Sequence, residues 1–184
     1  MFFLLWEGRI FMRYFRIYAD KRNLQPRFPG WYSMVRPGIW RYGQIYEALK
    51  ERNYLKVELE EEEFMDIISS PCFMVSKGFA NLIRMYSPGI KFKQAALFDE
   101  KNGRTASYQI PDLPEIDCLD EDSVLSRDRS VIEMGILRGD KIKGEPIFFL
   151  RGTEGNHVMA SLAFVESAYR REVRGMGIEE FMVR

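Results

Sequence analysis

Apolar and polar positions alternate in RYFRIY, Arg13–Tyr18, which predicts a half-buried strand. Residues 22–43 hold three prolines and three glycines, so turns and short strands are expected around Trp31, Tyr32 and Trp40. GQIYEALKERN, residues 43–53, sets Ile45 and Leu49 on one face of a short helix. LEEEEFMDIISSP, residues 59–71, predicts a second helix. Its glutamates fall in the first turn, where negative charge complements the helix dipole, and Phe64, Ile67 and Ile68 form a stripe that Pro71 stops.

CFMV, residues 72–75, reads as a short buried strand, and Ser76 is placed to cap a helix. Phe79, Leu82, Ile83 and Tyr86 then recur at i, i+3, i+4 and i+7, the clearest amphipathic pattern in the chain. Residues 92–110 predict a hairpin whose Asn102-Gly103 favours a type I′ turn. Residues 115–130 read as a strand running into an acidic loop. Strands follow at 131–137 and 146–150, then a turn at 151–157 and a returning strand. Residues 161–175 predict a helix with Leu162, Val165, Tyr169 and Val173 buried and Gly175 just past its end. IEEFMV, residues 178–183, closes as a strand. Hairpins outnumber βαβ units, so the expected class is α+β, a mostly antiparallel sheet with three to four helices. No internal repeat is evident. Two divisions fit: an aromatic-rich N-terminal region, 1–70, ahead of an α+β module, 71–184, or one continuous globular unit.

The opening MFFLLWEGRIFM is too short and too soon charged for a secretory signal, and no apolar run approaches the length of a membrane span. It reads either as an edge strand or as translated leader. Trp6-Glu7-Gly8 permits the codons of a purine-rich ribosome-binding site just ahead of Met12, which would then be the native start.

Lys plus Arg and Asp plus Glu number 27 each, so the formal net charge is zero and nucleic acid is a poor default partner. The charge is segregated. Residues 1–55 hold ten basic and four acidic side chains, residues 56–70 one and six, and residues 111–128 one and seven. Such patches suit a charged protein partner. Two cysteines, Cys72 and Cys118, in apolar surroundings argue for buried free thiols and a reducing cytoplasm.

Chemistry is harder to find. His157 is the single imidazole, no nucleophile elbow is present, and four zinc ligands cannot be assembled. The acidic Asp117–Ser123 segment lacks the spacing of an EF-hand and reads as loop-capping carboxylates. No catalytic residue, metal or cofactor is therefore assigned. An enzyme built on Asp117, Asp120 and His157 is the alternative reading, and a subunit of a phage or secretion assembly is a third.

Short motifs in the last 60% or so of the chain carry a family likeness. They are Val75-Ser76 before the helix, Pro88 with Phe92, Ile116-Asp117-Cys118-Leu119-Asp120 with Ser123, Ile147-Phe148, and Gly177 with Phe181. In these the chain resembles the immunity proteins of bacterial polymorphic toxin systems typified by a Myxococcus domain, long classed as a domain of unknown function. The resemblance implies a cytoplasmic, non-enzymatic protein that neutralises a cognate toxin by direct binding, with no nucleic acid, membrane or cofactor involved. Candidate contact residues are the aromatic and arginine side chains Trp31, Tyr32, Arg36, Trp40 and Arg41, or the acidic Asp120, Glu121 and Asp122.

Overall fold

The computed structural model describes residues 5–6, 9–10, 12–31, 35, 42–60 and 63–184. The chain opens with a paired β1 (Leu5–Trp6) and β2 (Arg9–Ile10), then β3 (Tyr14–Ala19), α1 (Tyr42–Ala48), β4 (Arg52–Val57) and β5 (Ile67–Ile68). β6 (Met74–Ser76) runs into α2 (Lys77–Tyr86), followed by β7 (Phe92–Asp99), β8 (Arg104–Pro111), β9 (Glu115–Ile116), β10 (Val124–Leu125), β11 (Ile132–Met134) and β12 (Ile136–Leu137). Short α3 (Gly139–Ile142) leads to β13 (Ile147–Leu150). β14 (Val158–Ser161) runs into α4 (Leu162–Arg170), and β15 (Met176–Val183) ends the fold.

The class is α+β, as expected. The sheets are mixed rather than mostly antiparallel: β4–β7, β12–β15 and β9–β13 are parallel pairs. Two sheets dominate, ordered β4-β7-β8-β6-β5 and β12-β15-β3-β14-β13-β9. Residues before 70 supply β3 to the middle of one and β4 and β5 to the edges of the other. A cut near residue 70 would remove strands from both.

The sheets repeat one topology. β4, β5, β6, α2, β7 and β8 correspond to β12, β13, β14, α4, β15 and β3, and the strand orders match except that β9 extends the second sheet. The correspondence reaches single hydrogen bonds. Ser76 faces Tyr108 across its ladder, and Ser161 faces Tyr14. Tyr108 Oη donates to Met65 O, two residues before β5, and Tyr14 Oη donates to Glu145 O (2.9 Å), two before β13. Ser76 N donates to Asp66 O and Ser161 N to Pro146 O, at 2.8 and 2.9 Å. Both serine hydroxyls accept from the amide three residues on, that of Phe79 or Phe164. Phe79 and Phe164 then meet each other edge-on at 5.7 Å, so the equivalent helix starts touch between the halves. The likeness is one of topology and carries no sequence repeat. Over residues 74–86 and 159–171 only the Met, Ser and Phe positions coincide, and β3 fills from the N-terminal side the slot that β8 fills by hairpin.

Each sheet carries packed elements on both faces. α2 and α4 pack on one face of their sheets and on each other. Over the reverse face of the first sheet lies α1, where Tyr42 Oη donates to Pro111 O (2.7 Å) and Lys93 Nζ donates to Tyr46 O and Leu49 O. Over the reverse face of the second lies a smaller core in which Cys118, Ile132, Leu137 and Ile142 pack against Tyr14, Phe148 and Phe181.

Four local expectations are corrected. The helix expected over 59–71 is not formed in its described part, residues 63–71: Ile67 and Ile68 pair with Val75 and Met74, fully buried, and that burial outweighs the helical pattern. β4 was not foreseen, although Asn53, Leu55 and Val57 alternate with exposed neighbours. The 92–110 hairpin turns through four residues between Asp99 and Arg104, with positive φ at Gly103 but not at Asn102, so it is not type I′. α4 ends at Arg170 and buries Phe164, Val165 and Ala168. Tyr169 is exposed, Val173 lies beyond the helix, and Gly175 serves the turn into β15, where a side chain would meet Met65.

Candidate functional site

Asp120, Glu121 and Asp122 sit in the loop between β9 and β10, at the far end of the second half. Asp120 closes an Asx turn, its Oδ1 accepting from Asp122 N (3.0 Å). The loop is held against β12 from both sides. Asp120 N donates to Ile136 O (2.8 Å), and Ser123 Oγ both donates to Ile136 O and accepts from Ile136 N, at 3.0 Å, in place of a strand partner. Arg184 bridges Asp120 (3.6 Å) and Asp122 (2.5 Å). Glu121 and Glu133 are exposed and have no ion-pair partner among the described residues.

Three apolar side chains that the sequence reading did not single out share this end. Val124 and Met134 are cross-strand partners of β10 and β11, and Met182 N donates to Gly135 O. All stay exposed, Met182 by 60%. Their signal was an apolar residue at an outward strand position, which on sequence alone is indistinguishable from an inward one until the partner strand is known.

The other predicted contact residues fare differently. Trp31 is buried in the main core, edge-on to Phe28 at 6.3 Å, and offers no exposed anchor. Tyr32, Arg36, Trp40 and Arg41 lie outside the described residues. Asp117 is exposed, while His157 is buried at the start of β14. Its Nε2 donates to Ser130 O (3.0 Å), which leaves Nδ1 to accept from Arg16 Nη1 at 3.5 Å. Arg16 in turn pairs with Glu179. The hydrogen-bond partners of His157 among the described residues are Ser130 and Arg16, and neither Asp117 nor Asp120 is one of them. Burial, with Arg16 beside it, pulls the His157 pKa down to about 4. Ser130 is positioned by Asp128, whose carboxylate accepts from Ser126 Oγ, Ser130 Oγ and Ser130 N and is thereby held at a pKa of about 2. Cys72 and Cys118 are buried free thiols. Burial raises both pKa values, that of Cys118 to about 12, which keeps the nucleophilic thiolate unpopulated near neutrality.

Among the described residues no helix is long and apolar enough to cross a membrane. Compared with protein-family models and with curated proteins, the chain matches none.

Proposed function

We propose that this chain is a non-enzymatic binding protein of the bacterial cytoplasm that neutralises a cognate toxin by direct contact. The observation that carries the reading is the acidic end of the second half. Exposed Val124 and Met134 are cross-strand partners, exposed Met182 donates its backbone N–H to the adjoining Gly135 O, and the loop carrying Asp120, Glu121 and Asp122 leads directly into Val124. An apolar centre within a charged rim is the anatomy of a protein-docking surface, and methionine adapts well to a partner's contours. The excess of carboxylates suits a basic partner surface. The short motifs shared with the immunity family are consistent with this reading, and buried Trp31 shifts the choice of surface toward the acidic end.

The test is co-expression with the toxin domain encoded beside this gene. Wild-type protein is expected to restore growth, and Glu121→Lys combined with Met182→Asp to lose most of that protection while staying folded. Equal killing with and without the wild-type protein would reject the reading.

A further inference from the structure

β4 is an outer strand of the first sheet, joined to β7 on one side. Its backbone groups alternate in direction. Gln94 N donates to Glu51 O, so Asn53, Leu55 and Val57 aim their N–H and C=O groups at β7. Those of Arg52, Tyr54 and Lys56 point the other way, to the edge, and have no hydrogen-bond partner among the described residues. Glu58 has the same orientation and shows what this edge accepts. It exchanges both backbone bonds with Arg27, at 2.9 and 3.0 Å, in an antiparallel bridge. The chain then turns at Phe28–Trp31, where Trp31 N donates to Phe28 O, and three places along β4 stay open.

The side chains beside these places select the occupant. Arg52, Tyr54 and Lys56 share the solvent face of β4, where Tyr54 is 69% exposed and stacks on Phe98 at 6.3 Å. Arg52 has no ion-pair partner among the described residues, and Lys56 pairs with Glu100 at 2.9 Å. Residues directly opposite in an antiparallel pair put their side chains on the same face, and opposite charges there are stabilising. The existing bridge sets basic Arg27 opposite acidic Glu58, although the ion pair of Arg27 is with Glu60. The open places call for the reverse, acids opposite Arg52 and Lys56. A second copy of β4 does not supply them. Pairing about Tyr54 would set Arg52 opposite the partner's Lys56, and like charges so placed repel.

We propose that β4 takes up an extended acidic segment of another protein as an added antiparallel strand. Main-chain hydrogen bonds to Arg52, Tyr54 and Lys56 hold the segment, and its carboxylates opposite Arg52 and Lys56 give the selection. Single-stranded nucleic acid would also stack on Tyr54 and Phe98, but it has no peptide groups to pair with the open edge. The edge belongs to the first sheet and the acidic loop to the second half, so the inference does not rest on the toxin reading.

The test is binding of a capped, dye-labelled pentapeptide, Glu-Val-Thr-Val-Glu, to the purified full chain, read by fluorescence anisotropy and amide hydrogen exchange. A dissociation constant below about 1 mM is expected, with slowed exchange at the amides of Arg52, Tyr54 and Lys56. Methylating the threonine nitrogen of the peptide removes its bond to Tyr54 O and leaves every charge, and is expected to weaken binding about tenfold or more. Arg52→Glu with Lys56→Glu, at unchanged circular dichroism, is expected to reject this peptide and to bind Lys-Val-Thr-Val-Lys instead. No binding of the acidic peptide, equal binding of its methylated form, or a preference that the charge reversal leaves unchanged overturns the proposal. Slowed exchange at the same three amides on raising protein concentration without peptide overturns it in favour of a second copy. Tighter binding of oligothymidylate than of the peptide, lost in the same variant, overturns it in favour of nucleic acid.

Discussion

At the scale of residues, two tyrosines, Tyr14 and Tyr108, hold equivalent joints. Each hydroxyl donates to a carbonyl just ahead of the second strand over, Glu145 O before β13 and Met65 O before β5. Tyr14→Phe and Tyr108→Phe are each expected to cost about 1–3 kcal/mol, the price of leaving a partly buried carbonyl unpaired, as read from urea unfolding. His157 makes a second prediction. Its pKa is near 4 when folded and 6.5 in the reference state, so the unfolded chain binds the extra proton as pH falls. Its contribution is intact above pH 6.5, declines as pH drops toward 4, and the loss reaches about 3 kcal/mol below that. His157→Gln is expected to flatten the part of the stability–pH curve between those values. A curve of unchanged slope there would show that the ring is not buried neutral.

The elements show which patterns survive folding. α2 formed where its stripe and Ser76 cap predicted, because cap, stripe and stop all lie within the helix's own sequence. Residues 59–71 carried an equally helical pattern, but β6 captured Ile67 and Ile68, and no local signal announces a partner strand. β3 was legible as a strand, yet nothing in Arg13–Tyr18 says that it lies between β14 and β15. That placement makes it indispensable. Ile17→Ala is expected to cost about 2–5 kcal/mol, and a chain starting at Asp20 not to fold. A chain starting at Met12 is expected to keep its thermal midpoint, since β1 and β2 pair only with each other among the described residues. A matched loss of stability in both truncations would contradict this division.

On the scale of the whole molecule, the duplication predicts a permutation. β15 and β3 are adjacent and antiparallel, as β7 and β8 are, but only the latter pair is joined by a hairpin. Joining Arg184 to Met12 through a short glycine-containing linker, with new termini at the exposed Lys21, would give both halves the same connectivity. That permutant is expected to unfold cooperatively and to keep the far-ultraviolet circular dichroism of the natural chain. A permutant lacking cooperative unfolding would argue against the equivalence of β3 and β8. The acidic end belongs to this scale as well. Asp120–Asp122 were visible as a charge run, but only the packed sheet brings β15 to Gly135, where Met182 N donates to Gly135 O.

By itself the sequence determined the α+β class, the Ser76 and Ser161 helix starts, the 92–110 hairpin and the acidic loop. Periodicity, capping and turn chemistry act over a few residues and need no partner. Tertiary structure alone decided the mixed pairing of the sheets, the burial of Trp31 and His157, and the matching strand order of the halves. Each of these depends on contacts between residues far apart in the chain. In β3 and β15 the deciding partners lie more than 150 residues away, a distance at which hydrophobic pattern fixes what is buried but not against what.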